Sequence, residues 1–116
     1  MAQRPGDVWA EQAGTVRVVI LRGEHDVSTV MRLEAALAER SGEGDGVVVD
    51  LTACSFIDSS SVAALLTAGQ SEPIGRFAAV IKPGSEAGRL LDMVAFSAVV
   101  PVYETRREAL VAVADD

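Results

Sequence analysis

The sequence predicts an α/β domain with a mostly parallel mixed sheet, an N-terminal hairpin and about four helices. Three observations carry that expectation. Strand-length apolar runs alternate with helical periodicities along most of the chain. The run Val47-Val48-Val49 before Asp50-Leu51-Thr52 is continuous rather than alternating, as in a strand buried on both faces. The first two strand-like segments are separated only by Glu11-Gln12-Ala13-Gly14, a link of hairpin length.

Each element has its own signal. Val8-Trp9-Ala10 and Thr15 to Leu21 read as the two strands of the hairpin, and Gly23-Glu24-His25-Asp26 ends the second. Ser28 is a plausible N-cap for a helix with Val30, Leu33 and Leu37 on one face, stopped by Ser41-Gly42. Glu43 to Gly46 is a polar, glycine-rich loop before the buried strand at 47–52. Ala53 to Ile57 reads as a short link, and a second helix runs from about Ser59 to Ala68, with Val62, Leu65 and Leu66 inward and Gly69 at its stop. A strand at Phe77 to Ile81, a helix at about Ser85 to Met93 and a strand at about Ala98 to Val102 follow. Thr105-Arg106-Arg107-Glu108 has capping-box spacing and opens a last helix carrying Ala109, Leu110 and Val113.

At 116 residues the chain is one domain, 1–116, able to bury a core without disulfides or a metal. Only 4% of residues are aromatic against 49% hydrophobic, so Ala, Val and Leu must fill most of the interior. The formal charge of −7 argues against nucleic acid, because neutralising phosphates needs clustered Lys and Arg. The lone Cys54 cannot form an internal disulfide and reads as a small buried thiol in a reducing compartment. Met1 to Gly6 lacks the pattern of a signal peptide, and Met93 to Val102 is too short to span a bilayer. A cytoplasmic protein without membrane contact is expected. One His, one Cys and scattered carboxylates give no metal-ligand spacing, and no cofactor motif is present.

In a sheet of this kind the loops leaving the carboxyl ends of parallel strands gather at one edge, where ligands and partners usually bind. Those loops carry Glu24, His25 and Asp26; Asp58, Ser59, Ser60 and Ser61; Lys82 to Ser85; and Tyr103 with Glu104. Asp58 is a good N-cap, which places Ser59 in the first turn of a helix. A phosphate on Ser59 would add about two negative charges at the positive end of the helix dipole, where anions are tolerated. It would leave the fold intact and alter the exposed edge. Asp-Ser-Ser-Ser is also an ordinary helix start, and capping alone would account for it.

The joint order of several segments adds a resemblance. Gly23-Glu24-His25-Asp26-Val27 resembles the Gly-Glu-Leu-Asp-Leu signature of bacterial anti-sigma factor antagonists, members of the STAS domain family. Val49-Asp50-Leu51 with Phe56-Ile57-Asp58-Ser59-Ser60 is similar to that family's phosphorylation segment. Arg89-Leu90-Leu91-Asp92, Val100-Pro101-Val102-Tyr103 and Glu108-Ala109-Leu110 resemble its C-terminal third, so the likeness covers nearly the whole chain.

The resemblance implies a binding module and kinase substrate with no catalysis of its own. The unphosphorylated form would bind an anti-sigma factor that is also a serine kinase of GHKL type, releasing a sigma factor. Phosphorylation of Ser59, ahead of Ser60 or Ser61, would loosen the complex, and a PP2C-type phosphatase would reverse it. Glu24, Asp26, Asp58, Ser60 and Ser61 would then meet the partner. Two residues depart from the family pattern: Ser61 stands where glycine is usual, and His25 where an apolar residue is usual. The alternative within the fold is an adaptor that is never phosphorylated, in an assembly such as a stressosome or a lipid-transport complex.

Other chemistries fit less well. A hydrolase built on Ser59 and His25, oriented by Asp26 or Asp58, lacks a Gly-x-Ser-x-Gly elbow, and His25 reads as a solvated or partly packed loop residue. Asp50 and Ile81-Lys82-Pro83 have the look of an aspartyl-phosphorylated receiver, but Glu24-His25-Asp26 is an imperfect acidic pair for its Mg²⁺ and the hairpin disagrees. Asp50 reads as structural, Lys82 as an exposed cation, Arg106-Arg107 as solvated surface and Trp9 as a core or edge anchor.

Overall fold

The hairpin of the computed structural model, which describes residues 6–39, 46–73 and 75–114, consists of β1 (Asp7–Ala13) and β2 (Val16–His25), paired antiparallel. Its turn is tighter than the sequence suggests. Glu11, Gln12 and Ala13 continue the strand opposite Val18, Arg17 and Val16, and the reversal falls on Gly14-Thr15. Gly14, at φ 61, supplies the left-handed conformation that a two-residue reversal requires.

Helix α1 (Val30–Ala38) buries Leu33 and Leu37 as expected, but Thr29 occupies its N-cap, not Ser28. The Asp26 carboxylate accepts from both the amide and the hydroxyl of Ser28, holding that residue in the preceding turn. The expected stop at Ser41-Gly42 and most of the 43–46 loop lie outside the described residues.

Strand β3 (Gly46–Ile57) is twelve residues long, and the segment read as a link, Ala53 to Ile57, is its second half. Register shifts opposite Ile20–Arg22 and Gly23–Glu24, each accommodating one extra residue of β3, let the two strands stay paired as far as His25 and Ile57. Pairing with β2 thus makes strand of a segment that reads locally as a link. Helix α2 (Ser59–Ser71) likewise runs past the expected stop at Gly69. That glycine instead permits close packing, since a Cβ there would lie 2.8 Å from Val100 Cγ2.

Strand β4 (Phe77–Val80) leads to α3 (Glu86–Met93), capped by the Ser85 hydroxyl accepting from the Gly88 amide at 3.0 Å. The strand expected at 98–102 is mostly absent. A 3₁₀ turn covers Phe96–Ala98 after Ala95 at φ 55, and β5 is only Val102–Tyr103. Burial of Phe96 and Val100 pins this segment against the core, and Pro101 can join the sheet only through its carbonyl, which accepts from the Ala79 amide. Helix α4 (Arg106–Val113) begins with the expected Thr105–Glu108 capping box.

The sheet order is β1-β2-β3-β4-β5, with the first pair antiparallel and the other three pairs parallel. Strand β3 sits at its centre, and Val47 to Leu51 are all buried. Its side chains alternate as a pleated strand must. Val47, Val49 and Leu51 join the main core with Leu33, Leu37, Val62, Leu65, Leu91 and Phe96. Val48 faces a smaller core with Val18, Ile20, Val80, Ala109 and Val113. Helices α1 to α3 therefore cover one face and α4 the other. Each fully buried Leu, Val or Phe contributes about 1.5–3 kcal/mol.

Candidate functional site at the β2–α1 and β3–α2 junctions

The parallel pairing of β2 with β3 ends at Glu24 opposite Phe56 and His25 opposite Ile57. One further bond continues the register: the Asp58 amide donates to the His25 carbonyl at 3.0 Å. Asp26 and Asp58 follow directly, so two chain segments 32 residues apart in sequence deliver their carboxylates to one edge. Hydrogen bonds from the Ser28 hydroxyl and amide hold the Asp26 carboxyl below its ordinary value, although the Asp58 charge pushes the other way.

Asp58 caps α2 in extended conformation, φ −101 and ψ 179. Its carboxylate accepts from the Ser61 amide at 3.1 Å and from the Ser60 hydroxyl at 2.7 Å. Burial draws this carboxyl upward, but the bonds from Ser60 and Ser61 outweigh it and keep it below the ordinary carboxylate value.

The three serines consequently differ. Ser59, the first residue of α2, is exposed; Ser60 is half-buried with its hydroxyl on Asp58; Ser61 is buried at 0% exposure. The Ser61 hydroxyl makes no hydrogen bond of ordinary geometry among the described residues, although it lies near enough to the Asp58 carboxylate to help lower it. Geometry therefore takes Ser61 off the accessible edge where the sequence reading placed it. Helical rotation carries the third position of the helix around to the core beside Val62 and Leu65.

Other residues fall into place around this edge. Glu24 is half-buried on the last turn of pairing of β2, Lys82 is exposed in the loop after β4, and Tyr103 is half-buried with Glu104 exposed beside it. His25 is not a solvated loop residue: it is the last residue of β2 and fully buried. Its Nδ1 lies 3.0 Å from Thr29 Oγ1 and its Nε2 3.0 Å from the Arg22 carbonyl. Burial, the largest influence, lowers the imidazole from its usual value. The ring faces inward, away from Ser59 on the surface, which leaves the Ser–His hydrolase arrangement without its geometry.

Away from the edge, the remaining reactive groups are structural. Burial pushes the Cys54 thiol up to about 11, so it is a poor nucleophile. Asp50 is buried and bonded through Oδ2 to Arg106 Nη2 at 2.8 Å and Nε at 3.0 Å. Arg106 is thus tied to the sheet rather than merely solvated. Trp9 packs at the margin of the smaller core, with the Arg22 guanidinium 5.2 Å above its ring.

Sequence reasoning passed over an apolar surface next to the site. Phe56 is 42% exposed and Met93 82% exposed, and both line a groove of about 480 Å³ with Ile57, Glu86, Arg89 and Leu90. Simple alternation from buried Cys54 would have turned Phe56 inward; the register shift between Cys54 and Phe56 turns Ile57 into the core instead and leaves Phe56 exposed, which no local sequence signal announces. Among the described residues no group of three or more His, Cys, Asp or Glu could hold a metal ion. No described helix is long and apolar enough to cross a membrane.

The model of the STAS domain matches residues 8–109. This chain belongs to the STAS domain family. Among solved structures, the STAS domain is similar to an anti-sigma factor antagonist from Mycobacterium paratuberculosis, with 26% identity, 96% of each chain covered and a TM-score of 0.84. It is similar in fold to a putative anti-sigma factor antagonist from Thermotoga maritima, at 18% identity, with 91% of this chain and 93% of that one covered and a TM-score of 0.68. The fold of the anti-sigma factor antagonist SpoIIAA in its unphosphorylated form also matches, at 19% identity, 90% and 93% coverage and a TM-score of 0.67. No protein of curated function matches the chain.

Proposed function

We propose that this STAS domain is an anti-sigma factor antagonist whose partner binding is switched by phosphorylation of Ser59. The observation that carries the reading is the exposed hydroxyl on the first residue of α2, beside two carboxylates brought together at Asp26 and Asp58. A dianion at the start of a thirteen-residue helix meets a favourable dipole and no packed core. It meets Asp26 and Asp58 across the same edge, so its repulsion and bulk act on whatever docks there.

In this reading the unphosphorylated domain binds an anti-sigma factor with a GHKL-type serine kinase fold through Glu24, Asp26, Asp58 and Ser60. The kinase modifies Ser59 and is released, and a PP2C-type phosphatase restores the binding form. The domain acts in the cytoplasm as substrate and binding module and performs no catalysis. Similarity over 96% of the chain to an anti-sigma factor antagonist supports the assignment of role.

Incubation with the cognate kinase and ATP, followed by mass spectrometry, tests it. One phosphate on Ser59, lost in Ser59→Ala, is the expected result. A kinase that binds but never modifies the domain would favour the adaptor role instead.

A further inference from the structure

We propose that the buried pair His25 and Thr29 positions the Asp26 turn, and that one proton on the imidazole sets how firmly the turn is held. The inference rests on the proposed docking role of the Asp26 edge, and deepens it by naming a means of regulation.

The geometry leaves little freedom. The Arg22 carbonyl can only accept, so His25 Nε2, 3.0 Å away, carries a hydrogen. In the neutral ring Nδ1 is then an acceptor, served by the Thr29 hydroxyl at 3.0 Å. The same hydroxyl lies 3.2 Å from the Asp26 carbonyl, yet it has one hydrogen to give. While it donates to Nδ1, the Asp26 carbonyl keeps only the Thr29 amide, at 3.0 Å. When Nδ1 takes up a proton, it donates to Thr29 Oγ1, and the hydroxyl hydrogen turns to the Asp26 carbonyl. That carbonyl then has two donors instead of one. A proton on the ring therefore tightens the turn that presents the Asp26 carboxylate.

The ring is enclosed from several elements. Gly6, at the entry to β1, lies so close that a Cβ would stand 2.8 Å from Cε1 and Nε2, and the Gly6 carbonyl accepts from Arg32 of α1 at 2.8 Å. Burial opposes the proton first, and the Arg32 charge opposes it too; the backbone of Arg22 and Asp7 and the Asp26 carboxylate favour it. Glu24 precedes His25 on the same strand and Asp58 reaches the His25 carbonyl through its backbone amide, so Arg32 and Asp26 are the charges that act on the ring. The response therefore falls on the acid side of the ordinary imidazole range.

The chain has a single histidine, so imidazole NMR yields one unambiguous titration. In the unmodified full chain the expected results are an Nε2–H tautomer at neutral pH and a Thr29 amide protection factor that rises roughly 2- to 10-fold as His25 protonates, one ordinary hydrogen bond's worth. The protection change should share the midpoint of the imidazole. In Thr29→Val, which removes the hydroxyl at similar volume, the ring should still titrate while the amide at position 29 stops following it. An Nδ1–H tautomer, protection indifferent to the His25 titration, or a response retained in Thr29→Val would each overturn the relay. None of these readouts needs a partner, so an anti-sigma factor that fails to bind would count against the proposed function alone.

Discussion

The Asp58 amide donates to the His25 carbonyl at 3.0 Å, and this bond joins the turn before α1 to the turn before α2. It extends the β2–β3 ladder by one rung beyond the last paired residues, His25 and Ile57. The side chains that follow, Asp26 and Asp58, are held by different serines: Ser28 for the first, Ser60 and the Ser61 amide for the second. A rigid sheet edge thus presents two oriented carboxylates and, next to them, one exposed hydroxyl.

Ser59→Asp should weaken binding to the anti-sigma factor while thermal stability changes by no more than about 0.5 kcal/mol. The site is exposed, and a negative charge at the first helical position suits the dipole. Calorimetric binding alongside a melting curve checks both halves; a collapse in melting temperature would make Ser59 a structural residue.

Ser61→Ala should stabilise the fold by about 1 kcal/mol, because it removes a buried hydroxyl that makes no well-formed hydrogen bond and leaves the cap bond to the Ser61 backbone amide untouched. Urea denaturation measures the change. A loss of stability would mean that the hydroxyl's approach to the Asp58 carboxylate outweighs the cost of burying it.

Asp58→Ala should cost about 1 kcal/mol at neutral pH through loss of the α2 cap. The Asp58 carboxyl titrates lower in the folded chain than its ordinary 3.8. Its contribution is therefore complete above that value and disappears as pH falls through the lower folded one. The stability gap between the two proteins should be constant near neutrality and close in acid; a gap that widened in acid would contradict the capping account.

Arg106→Ala should destabilise the domain by about 2 kcal/mol. Stranding one member of a buried pair costs about 3–5 kcal/mol, but the Arg106 side chain is 40% exposed and water would replace part of the loss. Thr52 would still hold Asp50 Oδ1 through its amide at 2.9 Å and hydroxyl at 2.7 Å. Chemical denaturation is the measure, and an unchanged midpoint would mean the pair contributes nothing net.

Gly69→Ala should destabilise by about 1–3 kcal/mol, although alanine is the better helix former. The new Cβ would press on Val100, a fully buried side chain with little rotamer freedom. A more stable variant would show that the α2–Val100 contact can relax.

The sequence by itself determined the α/β alternation, the central buried strand, the cap at Asp58 and the position of Ser59 at a helix start. These depend on local preferences: apolar periodicity, capping chemistry and turn residues act within a few positions of each other. Tertiary structure decided where β3 ends, since its second half is strand only because Arg22 to His25 of β2 pair with it. It also decided that Gly69 is a packing contact, that residues 96–98 form a 3₁₀ turn and that Arg106 reaches Asp50 across 56 residues. The fates of three adjacent serines and of His25 were settled the same way, because burial depends on which face of an element meets the core, and distant segments of chain set that face.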